Sequence, residues 1–281
     1  MSRELPRTVK TLQAQYQEDI KEDEIEIIVV DNGSEKLPVL PDNVKIISIK
    51  NPNFSPSKSV NIGISEAKGN LIGVFVDGAR MASPGIYKYA LKCLKLSSKP
   101  IIATLGFHLG PNIQKKSMEN GYNQEKEDHL LNKVNWESNG YSLFEISSFA
   151  GSSRNGWFSN IGESNALFMT RSMWNELDGY DENFKTPGGG LVNLDIYKRA
   201  LDLKDSQLFI LLGEGTFHQI HNGISTNQKR EDASFKVFNE EYKSIRKKDF
   251  IKLMQKPILF GSFSKCHSNS LKESLLGLNQ M

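Results

Sequence analysis

Cysteine is scarce in this sequence, and its scarcity excludes two kinds of framework. Only Cys93 and Cys266 occur among the 281 residues, and they lie far apart in the chain. One distant pair supports neither a disulfide scaffold nor the closely spaced ligands of a zinc knuckle. The composition therefore favours a reducing, cytoplasmic setting.

Long apolar runs and an excess of one charge are also missing. No stretch approaches the ~20 apolar residues of a membrane-spanning helix, and the opening MSRELPRTVK lacks the apolar centre of a signal peptide. Any membrane association is therefore expected to be peripheral. The 35 basic and 33 acidic side chains leave a formal charge of +2, which gives no general field for binding nucleic acid.

What the sequence does contain is an alternation of strand-like and helix-like segments through residue 107. Strands are expected at 24–30, 44–49, 70–77 and 99–107, and helices at 4–18, 55–69 and 83–96. This alternation predicts an α/β fold with a mostly parallel, doubly wound sheet. Such a sheet carries its site at the carboxyl ends of its strands.

The pattern weakens in residues 108–165, which are polar and contain Gly/Ser clusters such as GSSRNGW. A region this long without a regular period is typical of a functional or mobile segment. A strand and helix are expected within 164–180, a helix at 191–203 and a strand at 207–212. An amphipathic helix begins near residue 230, and the last ~20 residues have the composition of a weakly ordered tail. We expect one domain over 1–230 and a helical extension over 231–281.

Two carboxylates follow predicted strands. Asp77 closes the buried strand VFVD, so its charge needs a partner. A divalent cation with a diphosphate would suit, because oxygen ligands are typical of Mg²⁺ and Mn²⁺ sites; Arg80 is the alternative partner. Asp31 begins DNGS, where a carboxylate can bind a base or ribose or simply form a turn.

Two further features combine small residues with polar ones. Asn61 and Gly63 lie inside a predicted helix, where both cost stability. They favour close approach of a ligand or close packing on the sheet. The run PGGG ends at Gly190 and offers a backbone without side chains, suited to lying under a ligand or to acting as a linker.

His218 and His221 follow a predicted strand and are three residues apart. In a strand they would face opposite sides, whereas in a turn or helix they could converge. One could bind a metal, or both could bind phosphate. They are a weak zinc signal, because no cysteine or HExxH context accompanies them.

Together and in this order, these features resemble the family-two glycosyltransferases of GT-A fold over roughly residues 1–227. The resemblance rests on EIIVVDNGS, the N-x-G helix, AKGNLIGVFVDGA, and ESNALFMTRSMWNELDGYDENF followed by the glycine-rich turn and LDIYKR. It implies transfer of a sugar from a nucleotide-diphosphate donor to a hydroxyl of a saccharide or lipid-linked acceptor, with Mn²⁺ or Mg²⁺. It further implies a role in bacterial surface polysaccharide or glycoconjugate synthesis, in the cytoplasm or at the inner face of the membrane.

The resemblance also assigns roles by position. The predicted nucleotide-sugar contacts are Asp31, Asn32, Gly33, Asn61, Asp77, Gly78, Ala79, Arg80, Gly188, Gly189 and Gly190. Asp77 corresponds to the first Asp of the family's Asp-x-Asp motif. The predicted metal ligands are Asp77 with the late histidine, His218 or His221.

Three departures from the family pattern stand out. Ala79 replaces the second Asp of the motif, and Val192 and Asn193 occupy the positions of the family's Glu-Asp pair. The first strand of the fold is missing, because MSRELPRTVKTLQ resembles the sequence directly after it. We expect either a start placed too late or a natural truncation.

The identity of the base is open, because Asn193 stands at its usual position and cannot take a proton. An inverting transfer needs a carboxylate near the acceptor hydroxyl, and Glu163 and Asp195 are the candidates. Two other functions remain open. The lost acidic positions favour a nucleotide-sugar-binding module without catalysis, and a nucleotidyltransferase on a related sheet is the third alternative.

Overall fold

The computed structural model describes residues 1–221 and 232–278. The helices are α1 Glu4–Leu12, α2 Ser57–Glu66, α3 Ile86–Cys93, α4 Gln114–Glu119, α5 Gln124–Val134, α6 Arg171–Glu176, α7 Val192–Leu201, α8 Asp232–Arg246 and α9 Ser268–Leu278. The strands are β1 Ile27–Asp31, β2 Val44–Ser48, β3 Leu71–Phe75, β4 Arg80–Ala82, β5 Pro100–Leu109, β6 Ser147–Phe149, β7 Ala166–Thr170, β8 Gln207–His218 and β9 Ile258–Gly261. None of the described helices is both long and apolar enough to cross a membrane.

The larger sheet has the order β3–β7–β5–β8–β4, with β6 beside β5 and β9 beside β8. The β5–β8 and β8–β9 pairs are parallel. The β3–β7, β5–β7, β4–β8 and β5–β6 pairs are antiparallel. The α/β class is confirmed, but the sheet is mixed rather than mostly parallel. Strand β7 is entered from the long segment after β5 and not through a short helical crossover, so it can run antiparallel to both neighbours.

Helices cover both faces of this sheet. Along β8, Leu208 and Ile210 belong to the core under α7, whereas Phe209 and Leu211 belong to the core under α1 and α3. Alternate residues of a strand point to opposite faces. A strand buried on both faces therefore reads as a continuous apolar run, as QLFILL does.

Strands β1 and β2 pair in parallel as a separate two-stranded sheet. Within the described residues, β1 and β3 do not pair with each other, although both line one cavity of about 580 Å³. The first described element is therefore the helix α1, and no described strand lies between β1 and β3.

The prediction for residues 108–165 is wrong in one respect, because this region contains α4, α5, β6 and short 3₁₀ turns. Its regular elements are too short to give a clear period. They are held by aromatic packing: Phe144 and Trp157 are fully or almost fully buried, and both contact Phe107 of β5.

The expected weakly ordered tail is also wrong for the described residues up to 278. Strand β9 extends the larger sheet beside β8, and α9 packs against the segment before β7. Ser274 is fully buried, and its Oγ accepts a hydrogen bond from the backbone N–H of Trp157 at 3.3 Å. In the sequence, serines such as Ser274 suggest a polar tail. In the structure, Ser274 is a small residue that lets α9 pack closely against the backbone at Trp157.

Candidate functional site

Asp77 lies just beyond the carboxyl end of β3. Its backbone has a φ of 84°, a left-handed conformation that is uncommon for residues other than glycine. The N–H of Val76 donates to the carbonyl of Asn165 at 3.3 Å, and the N–H of Ala79 donates to Asp77 Oδ1 at 3.1 Å. These bonds fix the turn and leave Asp77 Oδ2 directed at a pair of histidines.

The two histidines converge on Asp77. Strand β8 runs six residues beyond its predicted end, so His218 is its last residue and His221 follows in the turn. Nε2 of each imidazole lies 3.1 Å from Asp77 Oδ2, and the two Nε2 atoms are 3.2 Å apart. The structure thus brings together the three residues predicted as metal ligands.

Gln114 fixes the orientation of one of these rings. Its Oε1 lies 2.7 Å from His218 Nδ1, and both side chains are buried. Because an amide oxygen can only accept, Nδ1 carries the proton. The neutral ring therefore directs the lone pair of Nε2 at Asp77 Oδ2, which is also an acceptor.

The environment sets the charges of this cluster. Burial raises the pKa of Asp77, but the contacts with His218 and His221 and the charge of Arg80 outweigh it, so the pKa lies well below its usual value. Burial and the nearby Arg80 lower the pKa of His218 to about 4, against the opposing effect of Asp77. At neutral pH the cluster therefore holds one carboxylate and a neutral His218.

This donor set fits a divalent cation. Two acceptor atoms, Asp77 Oδ2 and His218 Nε2, face each other at 3.1 Å, an arrangement that a cation between them stabilises. Ligand atoms at right angles around a cation with bonds of about 2.1 Å lie roughly 3.0 Å apart. Imidazole and carboxylate together suit Mn²⁺ and related ions. The spacing matches three adjacent positions of an octahedral site.

Arg80 and Glu163 flank the cluster. Arg80 Nε donates to the carbonyl of Val76 at 2.8 Å. Burial lowers its pKa, whereas the charges of Asp77 and Glu163 raise it. Glu163 is half-buried and immediately precedes the segment that bonds Val76. The structure therefore places Glu163, one of the two candidate bases, near Arg80 and at the same end of the sheet as Asp77.

Asp195 lies in a different setting. It is 1% exposed and is held by Arg199 Nε at 2.8 Å and by Arg246 through two hydrogen bonds of 2.6 Å. Both carboxylate oxygens are therefore engaged in joining α7 to α8. Asn193, at the usual position of the base, has a buried Oδ1 with no hydrogen-bond partner among the described residues.

The DNGS turn at the end of β1 is held by its own polar groups. Asp31 Oδ1 accepts from the N–H of Ser34 at 3.0 Å, and Asn32 bonds the backbone of Asn53 in both directions. Gly33 has a φ of 93°, and a Cβ there would meet Pro52 at 2.7 Å. The turn borders the same cavity as Asp77, and this cavity is lined by Asp31, Asn32, Asp77 and Gly78.

Asn61 has a structural contact. Its amide exchanges hydrogen bonds of 2.9 and 2.8 Å with the backbone of Tyr180, which ties α2 to the turn after α6. This contact explains why a polar residue lies inside the helix, and the explanation requires no ligand.

The glycine-rich turn also packs against protein. Gly188, Gly189 and Gly190 all have positive φ values. A Cβ on Gly189 would lie 3.0 Å from Pro56, and one on Gly190 would lie 2.9 Å from Glu241. Backbone conformation and close contacts therefore explain the glycines at these three predicted ligand-binding positions.

Sequence reasoning missed the residues that support the histidines. Besides Gln114, Glu127 of α5 accepts from the N–H of Ile220 at 2.8 Å and pairs with Arg3 at 2.7 Å. Arg3 also donates to the carbonyl of Ile220 at 2.9 Å. The turn before His221 is thus held by Arg3, which directly precedes α1, and by Glu127 of α5. No local motif marks these residues, because their partners are more than 90 positions away.

Residues 2–78 match the sequence model of the family described as Glycosyl transferase family 2. A comparison with curated proteins gave no match. Among solved structures, S. aureus TarS 1–349 in complex with UDP aligns with a TM-score of 0.53 and 12% identity, covering 100% of this chain and 67% of that one. A longer S. aureus TarS structure aligns with a TM-score of 0.50 and 12% identity. That alignment covers 85% of this chain and 40% of the TarS chain.

These likenesses confirm the predicted fold. The chain is an α/β protein of GT-A fold, with helices on both faces of a mixed sheet. Its residues 2–78 are similar to glycosyltransferase family 2, as the resemblance of its motifs had indicated.

Proposed function

We propose that the protein is a metal-dependent glycosyltransferase that moves a sugar from a nucleotide-diphosphate donor to an acceptor hydroxyl. The observation that carries this proposal is the convergence of Asp77, His218 and His221 at the carboxyl end of β3. In an α/β sheet this edge is where nucleotides bind, and the family match covers the segment through Gly78.

Asp77, His218 and His221 would hold the cation, which neutralises the charge on the departing diphosphate. Ala79 supplies no second carboxylate, and its side chain is fully buried. The second histidine takes the place of that ligand. Asp31 and the adjoining residues of DNGS line the same cavity as Asp77 and serve the base and ribose of the donor.

Glu163 is the better candidate for the base. The base has to lie close to the donor site, where the acceptor hydroxyl attacks. Asp195 has both oxygens bound by arginines, so it maintains the α7–α8 contact. Glu163 lies near Arg80 and Asp77 instead.

The structural likeness to TarS indicates which nucleotide-sugar donors to test first. S. aureus TarS, which shares the fold, binds UDP in its crystal structure. UDP-sugars are therefore the first donors to test, with saccharide or lipid-linked acceptors. This reaction would take place in the cytoplasm or at the inner face of the membrane.

The test is titration calorimetry with UDP, GDP and TDP, each with Mn²⁺ and with a chelator. We expect at least one diphosphate to bind more tightly with Mn²⁺, and Asp77→Asn to abolish the difference. Equal binding of all three diphosphates with and without the metal would refute a metal-dependent donor site.

A second experiment tests the identity of the base. Sugar transfer should be lost in Glu163→Gln and retained in Asp195→Asn, provided that the Asp195 variant remains folded. The reverse result would exchange the roles of the two residues.

A nucleotide-sugar-binding module without catalysis is the second candidate. It is favoured by Ala79 and by Asn193, whose Oδ1 has no partner within the described residues. The two functions differ in one result: a module binds the donor with Mn²⁺ but neither transfers the sugar to any acceptor nor hydrolyses the donor over long incubation.

A further inference from the structure

A second cavity begins next to the proposed base. Its volume is about 180 Å³, which is less than the ~300 Å³ of a small-molecule pocket, so it suits one chemical group and not a whole nucleotide. Gly162 lines it and directly precedes Glu163 in the chain. We call it the basic cavity; it is lined by residues 151–156, residues 160–162 and Lys252.

The basic cavity carries positive charge only. Arg154 and Lys252 both line it, and no carboxylate is among the described residues that do so. Within the described part of the chain, neither side chain forms an ion pair. Partial burial and the charge of Arg154 lower the pKa of Lys252. Two like charges held close together destabilise each other, and an anion bound to both removes this cost.

The wall of the basic cavity is held by hydrogen bonds within the protein. Ser153 is 2% exposed, and its Oγ accepts from the N–H of Gly106 in β5 at 2.9 Å. The N–H of Gly162 donates to the carbonyl of Ser152 at 3.1 Å, and the N–H of Gly156 donates to the carbonyl of Ser153 at 2.9 Å. The site is therefore formed in advance, which limits the entropy lost when a ligand binds.

Two glycines leave the backbone open toward this cavity. A Cβ on Gly151 would meet no atom within 4 Å, and one on Gly162 would meet its nearest atoms, in Ser152, at 3.9 Å. Neither glycine has a positive φ. Packing and backbone conformation, which explain the glycines of the 188–190 turn, do not explain these two. A bare backbone lets a ligand approach closely.

An oxyanion matches these features. The planar guanidinium of Arg154 can donate two N–H groups to the oxygens of one phosphate or carboxylate, and the ammonium of Lys252 adds a second charge. The donor diphosphate has a different place, because Asp77 lines the cavity of about 580 Å³ and not the basic cavity. The ligand is therefore a charged group that is not part of the donor.

We propose that Arg154 and Lys252 bind one oxyanion, a phosphate or carboxylate group carried by the acceptor, beside Glu163. The acceptor is then an anionic saccharide or an anionic lipid-linked saccharide. Binding of its charged group holds the attacking hydroxyl near Glu163. This inference rests on the proposed function, since it names the class of acceptor for the same reaction.

The first test measures the site itself, without donor, acceptor or metal. Inorganic phosphate is titrated into the full chain in the presence of a chelator and at low ionic strength, and amide shifts are followed by NMR. We expect the shifts to centre on Gly151, Ser152 and Gly162. Arg154→Gln and Lys252→Gln should each weaken binding about 10-fold or more. The control is Lys248→Gln, which removes the same charge from an exposed lysine outside the cavity and should change the affinity little.

The second test measures sugar transfer to three versions of one saccharide: neutral, phosphorylated and carrying a carboxylate. We expect the parent protein to have its lowest KM for one of the two charged acceptors, which identifies the group. Arg154→Gln and Lys252→Gln should raise that KM about 10-fold. The KM for the neutral acceptor, the kcat and the affinity for UDP should stay as in the parent.

Three results would overturn the proposal. The first is a parent protein that shows no phosphate-dependent shifts at these amides. The second is equal phosphate affinity in all three variants. The third is phosphate binding with the same KM for charged and neutral acceptors, which would exclude a role in acceptor recognition. A parent protein that transfers sugar to no acceptor would refute the proposed function instead, and the phosphate titration would still decide whether the site exists.

Discussion

Within the described residues, Gln114 contacts the proposed metal site through His218 Nδ1, at 2.7 Å. Partners of this kind hold a metal-binding imidazole in one tautomer and one orientation. With Nδ1 protonated, Nε2 keeps its lone pair toward Asp77 and His221. Gln114 would therefore raise the affinity for the metal without being one of its ligands.

Replacing Gln114 by leucine should weaken Mn²⁺ binding by about 10-fold or more, because the proton can then move to Nε2 and compete with the ion. Calorimetry or Mn²⁺ electron paramagnetic resonance measures this. Gln124→Leu is the matched control, since Gln124 also begins a helix but bonds Glu4 instead. Unchanged affinity in both variants would remove Gln114 from the account.

Glu214 is a buried carboxyl outside the site. Burial raises its pKa to about 8, despite hydrogen bonds from Ser83, Tyr141 and the N–H of Gly85. A carboxyl whose pKa is raised in the folded state stabilises the fold most below its unfolded pKa. That stability is lost as pH rises toward the folded pKa. The expected window is therefore pH 4.5 to 8.

Glu214→Gln should remove this dependence, because glutamine is a neutral analogue of the protonated form. Relative to the variant, the parent protein should lose up to about 1 kcal/mol of unfolding free energy per pH unit within the window. Urea unfolding at several pH values provides the comparison, which cancels the titration of the histidines. Parallel curves for the two proteins would show that Glu214 is ionised throughout.

At the scale of elements, α7 and α8 are joined by ion pairs. Arg246 of α8 bonds Asp195 and Asp181, at 2.6 and 2.8 Å, and Asp195 is almost fully buried. Removing one partner leaves a buried charge with less compensation, which is more costly than losing a surface pair.

Arg246→Met should therefore lower the free energy of unfolding by about 2–3 kcal/mol. The control is Lys198→Met, which removes the surface pair with Asp202 at 2.6 Å and should cost at most about 0.5 kcal/mol. Chemical denaturation measures both. A cost for Arg246→Met as small as that of the control would contradict a buried network between these helices.

The sequence predicts an element well when one face or both faces of it are uniformly buried. The strand at 207–212 was recognised from its apolar run, but its continuation GEGTFH was not. There Gly213 has a φ of 72°, and Glu214 is a buried polar residue. Helix α4 has six residues, too few for a helical period to be visible. Such elements are specified by distant partners, which a local pattern does not contain.

The same limit applies to the site. Asp77 was identified because a carboxylate after a buried strand needs a partner, and the histidines because of their spacing. Gln114, Glu127 and Arg3 reach the site from other elements and carry no local signal. Conversely, Asn61 and the three glycines of the turn resemble ligand-binding residues in the sequence, but packing within the protein explains them.

At the scale of the whole molecule, the C-terminal part belongs to the core. Strand β9 pairs with β8. His267 is 1% exposed, and its Nε2 lies 2.8 Å from the carbonyl of Gly213. These contacts cover the strand that carries His218.

Deleting residues 258–281 should therefore lower Tm by well over 10 °C or abolish cooperative unfolding, since it uncovers β8 and the aromatic cluster around Trp157. Circular dichroism melts measure the change. A truncated protein with the parent Tm would show that the C-terminal part is an independent extension, as the sequence alone suggested.

The central claim is that Asp77, His218 and His221 together bind a divalent cation. The most direct measurement is Mn²⁺ titration of the nucleotide-free protein and of Asp77→Asn, His218→Asn and His221→Asn, with Ala79→Asp as a fourth variant. We predict one Mn²⁺ per chain in the parent and a large loss of affinity in each of the three variants. If the parent binds no Mn²⁺, or if Ala79→Asp is needed for binding, the cluster does not replace the missing carboxylate.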